Sequence, residues 1–169
     1  FVSIADSTPR KFGLLAKAAA EAGADGIEVN CGCPNIWEKG KPEAVLSYAP
    51  RALADVLYAI EIALRDFDLP WWVKLSPYLQ HSDRVVAANI IAHSKAFGAT
   101  ATNTVGSALC LLSTGRPATR PNDGYAGMGG PAIKPIALAN VRDFRQLLPS
   151  SQFIIGCGEC STTCKTGGV

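Results

Sequence analysis

Short apolar runs of strand length alternate along this chain with longer stretches whose apolar residues recur at helical spacing. FVSIAD (1–6) predicts the first strand. Ser7, Thr8 and Pro9 then supply a hydroxyl N-cap and an early proline for a helix over RKFGLLAKAAAEA, with Gly23 as its C′ residue. DGIEVN (25–30) predicts a second strand, followed by a long loop and a helix over 50–67. PWWVKLSP (70–77) predicts the third strand. Asp83 is expected to cap the next helix, RVVAANIIAHSKAF, which Gly98 stops. ATATNTV (99–105), weakly hydrophobic but rich in β-branched residues, predicts the fourth strand. A Gly/Pro/Asn-rich loop from Gly106 to Pro131, a helix over IKPIALANVRDFRQLL and a fifth strand, QFIIGCG (152–158), follow.

Strand–helix alternation means βαβ units and a parallel sheet, in an α/β fold. The unit length fits a doubly wound sheet or a (β/α)₈ barrel. The placement of the polar residues favours the barrel, because they stand at the end of strand after strand: Asn30 to Asn35, Lys74 to Tyr78, Asn103 and Thr104, Gly156 to Gly158. A closed barrel needs eight strands and about 250 residues. The expectation is therefore a partial (β/α)₈ TIM barrel with about five of the eight βα units. It forms one domain over 1–169, incomplete at both ends, with two open edges and an exposed interior face.

Composition narrows the function classes. The chain is 48% hydrophobic and 18% charged, which is globular, and its formal net charge is only +2 with no basic block. No nucleic-acid partner is expected. No apolar run approaches the ~20 residues of a membrane span, so no membrane partner is expected. No charged leader precedes an apolar stretch, although the chain begins at Phe1 rather than at a methionine. Six cysteines in a core-rich chain fit reduced thiols in a cytoplasmic protein better than a disulfide framework.

The unusual stretch is NCGCPN (30–35). Cys31 and Cys33, one residue apart, are too close for an easy disulfide and lack the C-x-x-C redox spacing. Cys157, Cys160 and Cys164 carry some iron–sulfur spacing without a fourth cysteine or a following proline, so no metal is expected. Cys31 and Cys110 are read as buried structural thiols. Cys33, between glycine and proline after a strand, is placed to face a ligand. Lys74 stands inside an apolar strand; either its stem snorkels to water or its ammonium faces an anion or an electron-rich cofactor. Asn103 and Thr104 are a turn cap or hydrogen-bonding groups for a ring. The glycines of GYAGMGG (124–130), with Gly156 and Gly158, allow close backbone approach.

These stretches, GIEVNCGCPN, GKPEAVLSY, VKLSPY, NTVGSAL, RPNDGYAGMGG, IKPIALANVR and FIIGCG, together span nearly the whole chain. In this order they resemble the class 1 dihydroorotate dehydrogenases, and within them the fumarate-using class 1A. The pyrimidine-reducing domain of dihydropyrimidine dehydrogenase is similar, but Asn35 and the GKP and DGY segments favour dihydroorotate. The resemblance implies an FMN enzyme of pyrimidine biosynthesis that oxidises dihydroorotate to orotate, with fumarate as acceptor, in a cytoplasmic homodimer. It implies Cys33 as the base that takes the C5 proton while hydride leaves C6. Asn30, Asn35, Asn103 and Thr104 would surround the pyrimidine and its carboxylate. Lys74 would lie on the flavin's N1–C2=O edge, and Gly129, Gly130, Gly156 and Gly158 along the flavin and its phosphate.

Two positions depart from the family. Gly32 replaces the serine before the catalytic cysteine, which is expected to make the loop more pliable. Glu159 replaces a glycine near the phosphate, where a carboxylate would repel it. With the early strands and the last phosphate loop absent, the chain alone is expected to hold FMN poorly and to turn over nothing. A non-catalytic barrel remnant is the alternative of another class.

Overall fold

The computed structural model describes residues 1–33, 37–38, 41–42 and 44–158. Five parallel strands lie side by side in the order in which the chain makes them. They are β1 (Val2–Ile4), β2 (Ile27–Asn30), β5 (Trp71–Leu75), β6 (Gly98–Ala101) and β9 (Phe153–Gly156). The helices between them are α1 (Pro9–Glu21), α2 (Pro50–Ala63), α3 (His81–Ala92) and α4 (Lys134–Leu147), and each packs on the next. A doubly wound sheet reverses its strand order at a switch point. This sheet never reverses, so it is a barrel segment.

Strand alternation sorts the side chains into two faces. On the outer face a register row runs Ile4, Val29, Val73, Ala99, Ile154. It packs in one core with Phe12, Leu53, Leu57, Ile60, Ile91 and Phe144 from the helices. On the inner face the row Asn30, Lys74, Thr100, Ile155 leads toward the C-terminal ends of the strands. Gly98 is needed where β6 meets β9, since a Cβ there would lie 2.1 Å from the Phe153 carbonyl oxygen.

Helix starts follow their local chemistry, with one correction. Thr8 caps α1, its Oγ1 accepting from the Lys11 N–H at 3.4 Å, Pro9 opens the first turn, and Gly23 sits past the end at φ +80°. Asp83 does not cap α3. The helix begins at His81 with Gln80 as N-cap, and Asp83 lies in the first turn, where its charge still favours the helix dipole. The helix also stops at Ala92, short of the predicted Phe97, because the chain turns there to enter β6.

The predicted fourth strand is likewise shorter. β6 ends at Ala101, and Asn103 and Thr104 lie between it and β7 (Val105–Leu109). The stretch expected to be loop, 106–131, contains most of an antiparallel hairpin, β7 with β8 (Tyr125–Met128). A second short hairpin, β3 (Trp37–Glu38) with β4 (Lys41–Pro42), occupies part of the loop after β2. Among the described residues, no helix is long and apolar enough to cross a membrane.

Candidate functional site

The inner face and the turns above it gather most of the residues singled out in the sequence. At the end of β2 the Asn30 carboxamide oxygen accepts from Asn103 Nδ2 at 2.9 Å and from the Gly32 N–H at 3.2 Å. Asn103 Oδ1 accepts from the Thr104 N–H at 2.9 Å. The two asparagines thus fix each other's orientation across two strand ends. Asn103 also ties back to β5, its N–H donating to the Leu75 carbonyl at 2.7 Å.

The turn that follows Asn30 is clamped from beneath. Ser47 donates both its backbone N–H (3.0 Å) and its hydroxyl (2.9 Å) to the Cys31 carbonyl. The same hydroxyl accepts from the Ser76 N–H, and Ser76 Oγ donates to the Gly32 carbonyl at 3.1 Å. A Cβ at Gly32 would lie 2.6 Å from Ser76 N, 2.8 Å from the Leu75 carbonyl carbon and 3.0 Å from Asn103 Cβ. Space, rather than pliability, accounts for this glycine: the turn runs directly against the ends of β5 and β6.

The turn separates the two thiols. Cys31 is 1% exposed, and burial pushes its thiol up to about 12, so it stays protonated and inert. Cys33 is half-buried and free. Cys110, expected to be buried, is exposed instead, because the hairpin strand it follows lies on the surface. Asn35, Glu159, Cys160 and Cys164 lie outside the described residues.

Lys74 stands beside Asn30 in the strand register, and its ammonium faces an anion that the sequence reading missed. Its Nζ is 3.7 Å from Glu28 Oε1, and the two side chains are 22% and 11% exposed. Glu28 also accepts from Ser3 Oγ (3.1 Å), Trp72 Nε1 (3.3 Å) and Thr100 Oγ1 (2.9 Å). The available signal was a charged residue at i−2 from Asn30, hence on the same face of the strand. Ser47 and Ser76 were missed as well, since nothing in their local sequence distinguishes a clamp from a turn.

The glycines form the other side of the mouth. A Cβ at Gly129 would lie 3.7 Å from Thr104 Cγ2, which places that glycine next to the Asn103–Thr104 turn. Gly130 (φ +80°) precedes the single turn Pro131–Ile133 that leads into α4. Gly156 ends β9 beside Ala101, and Gly158 (φ +119°) packs so closely that a Cβ would meet Ala137 Cβ at 2.9 Å. Beside them the buried Thr102 hydroxyl has no hydrogen-bond partner among the described residues. Close backbone approach and an unpaired hydroxyl at adjacent strand ends suit an anionic, oxygen-rich group.

Known proteins share much of this chain's sequence. The family model described as "Dihydroorotate dehydrogenase" matches residues 2–164. A dihydroorotate dehydrogenase B (NAD(+)) catalytic subunit of Methanopyrus kandleri is 37% identical over 161 residues, covering 94% of this chain and 48% of that protein. A dihydroorotate dehydrogenase A (fumarate) of Lactococcus lactis subsp. lactis is 35% identical over 166 residues, covering 96% and 50%. The chain therefore spans about half the length of the curated relatives it matches. The crystal structure of Eimeria tenella DHODH in complex with ferulenol superposes with a TM-score of 0.65 at 16% identity, covering 88% of this chain and 42% of that one, a likeness of fold. With nearly every residue inside the family match, the chain belongs to the dihydroorotate dehydrogenase family.

Proposed function

We propose that this chain carries the dihydropyrimidine site and much of the flavin site of an FMN-dependent dihydroorotate dehydrogenase of pyrimidine biosynthesis. The observation that supports it most is the pairing of Asn30 with Asn103 beside the clamped turn that presents Cys33. With Asn30 Oδ1 already engaged, its Nδ2 donor is the group a ring carbonyl would meet. The Thr104 hydroxyl adds to the set around the ring and its carboxylate, and Asn35, which lies outside the described residues, is assigned there by likeness to the family. Such a site rejects rings that leave its polar groups unpaired.

Cys33 acts as the base. Its Sγ takes the proton from C5 of dihydroorotate as the C5–C6 double bond forms. FMN, when bound, supplies the acceptor for the hydride that leaves C6. Lys74 would place positive charge beside the bound flavin, and Gly129, Gly130, Gly156 and Gly158 would admit the flavin close to backbone that carries no Cβ. Cys33 does this as its thiolate, which becomes the thiol on taking the proton, and the transfer is concerted with loss of the hydride. The clamp on Cys31 and Gly32 supplies its positioning.

Fumarate is the acceptor in this reading, by likeness to the fumarate-named relatives; the NAD(+)-named relative makes NAD⁺ the competing arm of the test. The same reading takes residues 1–169 as one FMN-binding domain of a cytoplasmic homodimer.

The test is anaerobic bleaching of bound FMN by dihydroorotate, followed by reoxidation with fumarate or NAD⁺. Where the 169-residue chain alone holds no FMN, the titration is run on the chain joined to the remaining barrel units of the Lactococcus relative. Dihydroorotate should bleach the flavin and orotate should bind. Cys33→Ala should slow bleaching by about 10²-fold or more. Bleaching of Cys33→Ala at the parental rate would overturn the base assignment, and uracil binding as well as orotate would overturn the substrate.

A further inference from the structure

Glu28 is a buried carboxylate for which the proposed reaction has no use. It sits in the middle of β2 on the inner face, one residue row below Asn30 and Lys74. Its side chain is 11% exposed, and it is held from three other strands: Ser3 on β1, Trp72 and Lys74 on β5, Thr100 on β6. Each oxygen receives two partners, Oε1 from Ser3 and Lys74, Oε2 from Trp72 and Thr100. Trp72 and Lys74 can only donate, so each oxygen of the carboxyl group faces one donor-only partner.

A buried ion pair is a poor means of stabilising a fold, because a well-packed apolar group at the same place does as well or better. Its effect is positional. A lysine side chain has four rotatable bonds, so nothing in its stem alone fixes where the ammonium sits. Here three neutral donors on two flanking sides hold the carboxylate rigid, and the carboxylate holds the ammonium.

We propose that Glu28 is a positioning residue whose buried carboxylate anchors the Lys74 ammonium on the inner face of the sheet and so sets where the site's positive charge lies. What that charge faces rests on the function proposed above; the anchoring does not.

The experiment measures Lys74 directly. The purified protein is acylated with a succinimidyl ester under native conditions, and the modification rate of each lysine is read by mass spectrometry. Lys17, whose side chain is 57% exposed, serves as the internal reference. In Glu28→Gln the amide keeps the side chain's shape, its oxygen still accepting from Trp72 and its nitrogen donating to Ser3, while the anion is gone. With its ammonium released from the anchor, Lys74 should then be acylated about fivefold or more faster than in the parent. Thr100→Val disturbs the same cluster but leaves the charge, and should change the rate by less than about twofold. Equal rates in parent and Glu28→Gln would overturn the proposal, as would an equal rise in Thr100→Val, which would mark a packing effect only.

A second measurement holds if Glu28→Gln folds poorly. In the parent, Glu28→Gln should lower the unfolding midpoint; in a Lys74→Met background, where the carboxylate has lost its cation, it should raise it. Equal downward shifts in both backgrounds would overturn the anchoring. Failure of these tests with dihydroorotate bleaching intact removes Glu28 and leaves the proposed reaction standing. Failure of bleaching with the anchoring intact does the reverse.

Discussion

Cys31 makes the stability of this protein fall at alkaline pH, by an amount that can be worked out. Burial without a charge partner raises its thiol from 9.0 in the unfolded chain to about 12 in the fold. Above 9.0 the unfolded chain releases a proton that the folded chain keeps. The folded state then binds more protons, and stability declines as pH rises. Between about pH 8 and about pH 10 the linkage integral comes to about 1.4 kcal/mol, and the decline continues toward the folded value. Tyr78 is also raised, by burial first and by Cys31 and Tyr48 next, and its decline has the same sign. The measured quantity is therefore a difference between proteins. Urea unfolding of parent and Cys31→Ala is followed at both pH values. The substitution subtracts a roughly constant amount for the methyl-sized void it leaves. The parent should lose about 1.4 kcal/mol more than Cys31→Ala over that interval. Parallel declines would refute the reasoning, because they would mean that Cys31 titrates alike in both states and is not sealed beneath the turn.

The remaining predictions concern the supports of the site. Gly32→Ala and Gly32→Ser should each cost about 1–3 kcal/mol in urea unfolding, since the added Cβ collides in both; a glycine kept for pliability would instead give a small gain on Gly32→Ala. Asn140→Ala removes the acceptor of the Tyr78 N–H (2.9 Å) and should cost about 1–3 kcal/mol in the same assay. Asp143 on α4 is held below its usual 3.8, first by its hydrogen bond from His81 and then by Arg84. A carboxylate depressed in the fold stabilises above the unfolded value and loses that contribution as pH falls through the folded one. The parent should therefore lose stability faster than Asp143→Asn as pH drops below 3.8, read by circular dichroism melts across an acid series.

The parallel strands and the four helices were legible because one periodicity governs each: apolar runs bounded by Gly or Pro for the strands, apolar residues at helical spacing for the helices. The two hairpins were not. β3 and β4 are two residues each, and β7 and β8 are antiparallel, glycine-containing and half-exposed, so no alternation marks them. In the site, Asn30, Asn103 and Thr104 were legible as polar residues at strand ends, where α/β folds place their chemistry. Cys31 and Cys33 were told apart by their neighbours in the sequence, but the clamp that Ser47 and Ser76 form on the turn comes from sequence-distant positions and was not legible.

Glu28 and Lys74 mark where reading one segment at a time fails. Each is visible as a charge inside an apolar run, and each taken alone invites a separate explanation. Strand register makes them one feature: pairing Glu28 with Trp72 and Asn30 with Lys74 puts the carboxylate one row beneath the ammonium. The same register divides the strands' labour. The outer row of Ile4, Val29, Val73, Ala99 and Ile154 joins the helix core, while the inner row carries the asparagine, the lysine and the threonine. Truncations on the outer row should therefore act on stability, and changes on the inner row on ligand and charge placement. Gly32 lies on neither row. It is the point where the turn before Cys33 rests on the strand ends, so a change there should disturb both.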